Sequence, residues 1–395
     1  MARVRNDAMK IVIIGHTYEA FIDDLYARQP DLLAQDYAGQ MQGYYASLFS
    51  SSDFYVNAFR QLRHSATEFI VNNARAQARW IEEDVSGRRE PVTTMPFWRR
   101  VAARFDLRGA QDPGASTIAL RSRAEQDFDV LLRQVRAQSP DVIFNQSVYA
   151  FDDAQLGALR GCAGALVGEH AAMPLPEEID YRLYDLIVSS FPPTLDWLRR
   201  RGAKAELLRL SFDPRVAALI PPMERDVPVS FAGSFLPVHA SRFALVEAAA
   251  AAVPELAVHG SVHLDIPESS PLAGRIAEPL WGRDMYRLLR RSRLTLNHHG
   301  DVPPFANNMR LYEATGMGCL LVTDHKDNLG EMFEPGREVV AYHDGGDCID
   351  KVHFYLDERN AKERDSIMAA GMKRTLTEHT YLARMTRLVE LIRAL

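Results

Sequence analysis

Ala306–Asp324, ANNMRLYEATGMGCLLVTD, reads as a helix, a tight glycine turn and a buried strand. Asn307 and Asn308 are good N-cap residues, since their side-chain oxygens can satisfy the first orphan N–H groups. Met309, Tyr312 and Gly316 recur at helical spacing, and Gly318 supplies a C-terminal stop. The run Cys319–Thr323, CLLVT, has the near-continuous apolar character of a parallel strand covered on both faces.

Two charges are set into this αβ unit. Arg310 and Glu313 are three apart and so occupy neighbouring positions on one helix face. A helix start attracts anions, because unpaired N–H groups and the macrodipole both point there. Glu313 lies roughly 9 Å along the axis from Asn307, about the separation of a pyrophosphate from the ribose hydroxyls of one nucleotide. Phosphates at the helix start and on Arg310, with ribose on Glu313, outline a sugar-nucleotide site. The competing reading is an i,i+3 salt bridge on the surface of a crossover helix.

Outward from this unit the alternation repeats. In the first half, strands are expected at Lys10–Gly15, Pro140–Gln146, Gly164–His170, Tyr184–Pro192 and Ala205–Pro214. Aromatic-rich helices fill Tyr18–Trp80, a loop is expected over Gly87–Ser116, and a helix runs from Arg121 to Ala137. Ile220–Pro228, with three prolines, is the expected domain boundary. Strands at Val229–Phe235, Leu256–Ser261 and Leu294–Asp301 then alternate with helices before the opening unit, and helices from Asp347 close the chain. Strands alternating with helices predict an α/β chain of two doubly wound domains, 1–220 and 221–380, with a last helix over 381–395 that can fold back on the first. A cleft between the carboxyl edges of the two sheets is where a two-substrate site is expected.

Composition excludes several classes. A chain of 395 residues fits two domains better than one core. A net charge of −6 gives no reason to expect nucleic acid. The clusters Arg99, Arg100, Arg104 and Arg287, Arg290, Arg291, Arg293 read as solvated helix faces, which leaves a phosphate role or peripheral membrane contact as the minority reading. Cys162, Cys319 and Cys348 lack CxxC spacing and argue against zinc and disulfides, hence for a reducing, cytoplasmic setting. No run is long and apolar enough for a signal peptide or a membrane span. No GxGxxG, P-loop, HExxH, GxSxG or DxD-type pair appears in a suitable setting.

The C-terminal half resembles the group 1, family 4-type glycosyltransferase domain, and within it the CgeB-like, spore-maturation branch. SFAGSF with HASR, LNHH, NNMRLYEATGMGCLLVTD, NLGEMFEPGREVVAYHD and EHTYLAR carry the resemblance, and PDVIFNQ, GALVGEHAAMPLP, YDLIVSSFP and LSFDP extend it over the first half. It implies a GT-B enzyme: two Rossmann-like domains facing a central cleft, a nucleotide-sugar donor on the second, an acceptor on the first, and neither metal nor cofactor. By the resemblance, Glu313 binds ribose and Asn307, Asn308 and Met309 cradle the pyrophosphate. Arg242 is the basic residue after the first donor-domain strand, with Gly233 and Ser234 before it, and Leu280, Trp281 and Gly282 form the base-binding turn. The family's paired-glutamate pattern would place its first glutamate at Phe305, and none is there. That departure, shared by the CgeB-like branch, leaves the donor-sugar contact and the anomeric outcome open, with retention the expectation.

The expected activity is hexosyl transfer from a UDP-sugar to a glycan, lipid-linked or protein acceptor in bacterial surface-glycan synthesis. His16, Glu169 and His170, at strand ends of the first domain, are candidates for the base that an acceptor hydroxyl needs. Their alternative is an ordinary structural hydrogen bond. His239, Asn297 and His298 are read as contacts to phosphate or donor sugar, or as a structural network, and Glu331 as a sugar contact or a helix cap. A sugar-nucleotide epimerase of the same fold and a degenerate, non-catalytic transferase remain as rivals.

Overall fold

The computed structural model describes residues 8–87, 127–300 and 304–395. Residues 88–116 of the expected loop, the start of the helix expected from Arg121, and Arg99, Arg100 and Arg104 lie outside the described residues. Two compact units result: Met1–Val188 with Thr194–Glu206 and Glu390–Leu395, and Ser189–Pro193 with Leu207–Val389.

The first unit is built on β1 (Lys10–Gly15), β2 (Ser65–Ile70), β3 (Val142–Asn145), β4 (Ala165–Glu169), β5 (Leu186–Ser189) and β6 (Ala205–Leu207). They form one sheet in the order β2-β1-β3-β4-β5-β6. Helices α1 (Glu19–Arg28), α2 (Tyr37–Ala46), α3 (Phe54–Gln61), α4 (Ala74–Gly87), α5 (127–138), α6 (Asp153–Arg160) and α7 (Pro192–Arg200) make the crossovers. β1 pairs in parallel with both β2 and β3, so the chain reverses direction across the sheet at β1 and β3. Strand β2 corrects the reading of Tyr18–Trp80 as helices alone. The aromatics there do pack as core: Tyr44, Phe54 and Phe59 are fully buried. Asp152 and Gln155 form a capping box at the start of α6.

The second unit holds α8 (Pro214–Leu219), β7 (Val227–Ala232), α9 (Ala240–Ala252), β8 (Leu256–His259), β9 (Ile276–Ala277), α10 (Gly282–Arg291) and β10 (Ser292–Asn297). It continues with α11 (Arg310–Gly316), β11 (Leu320–Asp324), β12 (Val340–Tyr342), α12 (Gly345–Leu356) and α13 (Ala361–Glu378); the last helix, α14 (Tyr381–Arg393), begins in this unit, and its residues from Glu390 belong to the first. Its sheet is parallel throughout, in the order β12-β11-β10-β7-β8-β9. Counted from β7, this is the 3-2-1-4-5-6 order of a dinucleotide-binding domain, with its switch point between β7 and β10. Val229, Leu294, Leu320 and Val322 line one core with Val246 and Ala249 of α9, and each of the larger side chains contributes roughly 1.5–3 kcal/mol by leaving water.

The turn between α11 and β11 follows its sequence. Gly318 has a φ of +65°, Cys319 N–H donates to Ala314 O (2.9 Å) and Gly318 N–H to Thr315 O (2.8 Å). This is a Schellman closure, which a side chain at position 318 would strain. The start of α11 differs from expectation. The helix begins at Arg310 with Met309 at the N-cap and no side-chain cap, so neither Asn307 nor Asn308 caps it. Asn308 is drawn away by a better partner: its amide donates to Asn297 Oδ1 at 2.9 Å.

The arginines of α10 and the start of β10 also divide. Arg287, Arg291 and Arg293 pair on the surface with Asp284, Asp226 and Glu358. Arg290 is buried, against the solvated-face reading, and donates to the carbonyls of Ala217, Ile220 and Met317.

Candidate functional site

In open α/β sheets a ligand crevice lies outside the carboxyl ends of the strands at the switch point. Two arginines meet there. Arg242, the third residue of α9, donates from Nη1 to Ser234 O (3.2 Å) and from Nη2 to His298 O (3.2 Å), bridging the chain beyond β7 to the chain beyond β10. Arg310 reaches the same edge from α11 and donates to Ala232 O, the last residue of β7, at 3.0 Å. Gly233 N–H donates to His259 O (3.0 Å), fixing the loop that carries Ser234.

Glu313 is held by Arg310 at 3.1 Å, and the two side chains are only 13% and 15% exposed. The pair is therefore an ion pair, but one set inside the unit rather than on a solvated helix face. Burial raises the Glu313 carboxyl above its ordinary range, and Arg310 offsets part of that rise. Helix α11 packs against α10, whose first residue, Gly282, has a φ of +46° and follows Trp281 at the N-cap. Leu280, Trp281 and Gly282 thus stand at the start of the helix neighbouring Glu313.

The end of β10 is a polar network. Asn297 and Asn308 exchange amide contacts, and Asn297 Nδ2 donates to Thr323 Oγ1 at 2.9 Å. Tyr342 OH donates to Asn297 O (2.8 Å). His298 faces Asp324 Oδ2 at 3.3 Å through Nδ1 and Ser241 Oγ at 2.9 Å through Nε2. His299 lies 2.6 Å from Asp324 Oδ1 through Nδ1, and Lys326 Nζ is 3.3 Å from Oδ2. Burial disfavours charge on Asp324, but hydrogen bonds from His298 and His299 outweigh it and hold this carboxyl far below the ordinary range. His239 sits in a single 3-10 turn, Pro237–His239, against Gly300: a Cβ there would come within 2.6 Å of its Nδ1, and Gly300 has a φ of +79°. Glu331 pairs with Arg209.

The first unit's candidates sit at its own carboxyl edge. Tyr55 OH donates to both Glu169 oxygens, at 3.0 and 2.9 Å, and burial pushes this acid up to about 7 against that bond. Burial lowers His170 to about 4, and likewise lowers His16, so both rings are unprotonated at neutral pH. His16 Nδ1 and His170 Nε2 are buried without a hydrogen-bond partner among the described residues.

Glu68 on β2 escaped the sequence reading. It is 3% exposed, and burial, with repulsion from Asp53 adding, raises its carboxyl to about 8. A Cβ on Gly15 would lie 3.3 Å from Glu68 Oε1 and 3.2 Å from Gln146 Oε1, so both side chains lean over the end of β1. Because the folded state holds the Glu68 proton more tightly than the unfolded chain, this stabilisation is complete below about pH 4.5 and is lost as pH rises through about 8. Glu68→Gln should therefore leave the melting temperature little changed at pH 5 and raise it by a few degrees at pH 8. Parallel melting curves for the two proteins would refute this.

Residues 242–390 match a family model described as "Glycosyl transferase-like". A search of curated proteins found no match. Among solved structures, the chain is similar to a glycosyltransferase from Rickettsia africae ESF-5, with 9% identity, 98% of this chain and 99% of that one covered, and a TM-score of 0.58. It is similar to HepE of Anabaena in complex with UDP-glucose (11% identity, 98% and 100% covered, TM-score 0.55). It is also similar to AviGT4, a glycosyltransferase involved in avilamycin A biosynthesis (13% identity, 98% and 97% covered, TM-score 0.53). The fold is that of these GT-B proteins, and the sequence match to the glycosyl transferase-like family model spans residues 242–390. No described helix is long and apolar enough to cross a membrane.

Proposed function

We propose that this chain is a glycosyltransferase that takes a nucleoside-diphosphate sugar, with UDP as the nucleotide, and moves a hexose to an acceptor hydroxyl. The observation that carries the reading is the convergence of Arg242 and Arg310 on the end of β7, with Glu313 one ion pair away. The family match over residues 242–390 supports it, and solved complexes of HepE with UDP-glucose and with UDP favour the choice of nucleotide.

In this reading the guanidinium groups of Arg242 and Arg310 leave backbone carbonyls for the diphosphate and neutralise the leaving group without a metal. Glu313 accepts hydrogen bonds from the ribose hydroxyls, and Leu280–Gly282 holds the base. On the acceptor side, His16 and His170 carry unprotonated rings, and either can take the hydroxyl proton as attack proceeds. Glu169, near 7, is the alternative base. Retention, a glycan, lipid-linked or protein acceptor of a bacterial surface, the CgeB-like branch and a cytoplasmic site belong to the same proposal.

Nucleotide release from UDP-, GDP- and TDP-sugars, followed with and without a panel of hydroxyl acceptors, tests it. A transferase releases UDP faster when a suitable acceptor is present. An altered sugar without acceptor would mean an epimerase, and binding with no turnover under any condition a non-catalytic module.

A further inference from the structure

The two adjacent histidines beyond β10 differ in what they have left to offer. His298 is occupied at both ring nitrogens, by Asp324 and Tyr342 OH at Nδ1 and by Ser241 at Nε2. His299 is occupied at one. Its side chain is 1% exposed, its Nδ1 lies 2.6 Å from Asp324 Oδ1, and its backbone N–H donates to the same oxygen at 3.1 Å. Its Nε2 is buried and has no hydrogen-bond partner among the described residues.

The partner at Nδ1 decides what Nε2 can do. An ionised carboxylate has only acceptor sites, so the proton between Asp324 and His299 sits on Nδ1. In its neutral form the ring then carries its lone pair at Nε2. Such a nitrogen accepts from O–H or N–H and is repelled by a phosphate oxygen, which presents lone pairs of its own. Buried polar groups are almost always hydrogen-bonded, so an open acceptor at a sheet's carboxyl edge calls for a donor from elsewhere. The cationic groups suited to phosphate stand one strand away, at the end of β7.

We infer that His299 reads the transferred sugar: its Nε2 accepts a hydrogen bond from a hydroxyl of the sugar ring, while Asp324 fixes the tautomer that makes this selective. The inference rests on the nucleotide-sugar reading above and adds to it the residue that distinguishes a nucleotide sugar from the bare nucleotide. It also assigns His298 to the scaffold that positions Asp324.

Titration calorimetry with UDP, UDP-glucose, UDP-galactose and UDP-N-acetylglucosamine tests it in three proteins. His299→Asn keeps an N–H for Asp324 and deletes the group at the Nε2 position; His299→Gln keeps a polar group near that position and loses the Asp324 bond. Wild type should bind at least one of the three sugar nucleotides more tightly than UDP. His299→Asn should lose about tenfold in affinity for that sugar nucleotide with UDP affinity unchanged, and His299→Gln should recover part of the loss. Equal losses for UDP and the sugar nucleotide, no loss for either, or no wild-type preference for any sugar nucleotide over UDP would overturn the role of His299 alone. A wild type that binds neither UDP nor any of the three would overturn the nucleotide-sugar reading and this inference with it.

Discussion

Glu313→Gln is expected to lower kcat/KM for the nucleotide sugar by about 10²-fold, most of it as a higher KM. A carboxylate accepts from two vicinal ribose hydroxyls at once, whereas a primary amide offers one acceptor and turns donors toward the second hydroxyl. Hydrogen bonds to a charged group are worth roughly 1.5–3 kcal/mol each, so losing one and spoiling the other gives that factor. The ribose is bound alike in the ground and transition states, which is why KM rather than kcat should carry the loss. The fold should survive, because Arg310 keeps its bond to Ala232 O when its ion-pair partner becomes neutral. Steady-state kinetics beside a melting curve check both parts. An unchanged KM, or a collapse in melting temperature of the variant, would count against the assigned role.

Arg290→Met is expected to produce the largest loss of stability, about 3–4 kcal/mol, with no direct effect on any ligand contact. The guanidinium donates to Met317 O at 2.8 Å, Ala217 O at 2.9 Å and Ile220 O at 3.0 Å. These carbonyls end α8 and α11, where the helix ladder leaves them unpaired. Arg225 adds donors to Gly318 O and Ser292 O, so two cations close the last turn of the helix that carries Glu313. A methionine fills the volume but strands three buried acceptors. Lysine should restore little, since a point charge cannot reach three diverging carbonyls as a planar fork does. Thermal melting would register a fall of about 10 °C for a unit of this size.

Much of the fold was legible because parallel strands are written in plain runs. Lys10–Gly15 matches its expected bounds, and Val142–Asn145, Ala165–Glu169 and Leu186–Ser189 fall inside theirs. Strand β2 was hidden by Glu68 and Thr67, polar residues at interior positions of a short segment flanked by helices. Strands β9 and β12 span two and three residues, too few for any period to show. The spacing of Arg310 and Glu313 was readable, but their shelter from solvent was not, because this short helix packs against α13, β11, α10 and β10, with Arg310 also tied to Ala232 O at the end of β7.

The remaining differences are choices between neighbours that tertiary packing makes. Asn307 and Asn308 had the right chemistry for an N-cap, yet Asn297 lies eleven residues away in sequence and captures Asn308. His298 and His299 are indistinguishable as letters; Asp324, Tyr342 and Ser241 separate them. Arg290 looked like its neighbours because a helical count places it near the solvated stripe, and only the carbonyls of α8 and α11 draw it inside. In each case the deciding partner is a backbone or side-chain group that sequence spacing does not bring near.

The most direct measurement is a crystal structure of the chain grown with UDP. The ribose hydroxyls should lie within hydrogen-bonding distance of the Glu313 carboxylate, with the diphosphate on Arg242 and Arg310 at the end of β7. Bound UDP placed elsewhere, with Glu313 still engaged only by Arg310, would contradict the nucleotide-sugar site.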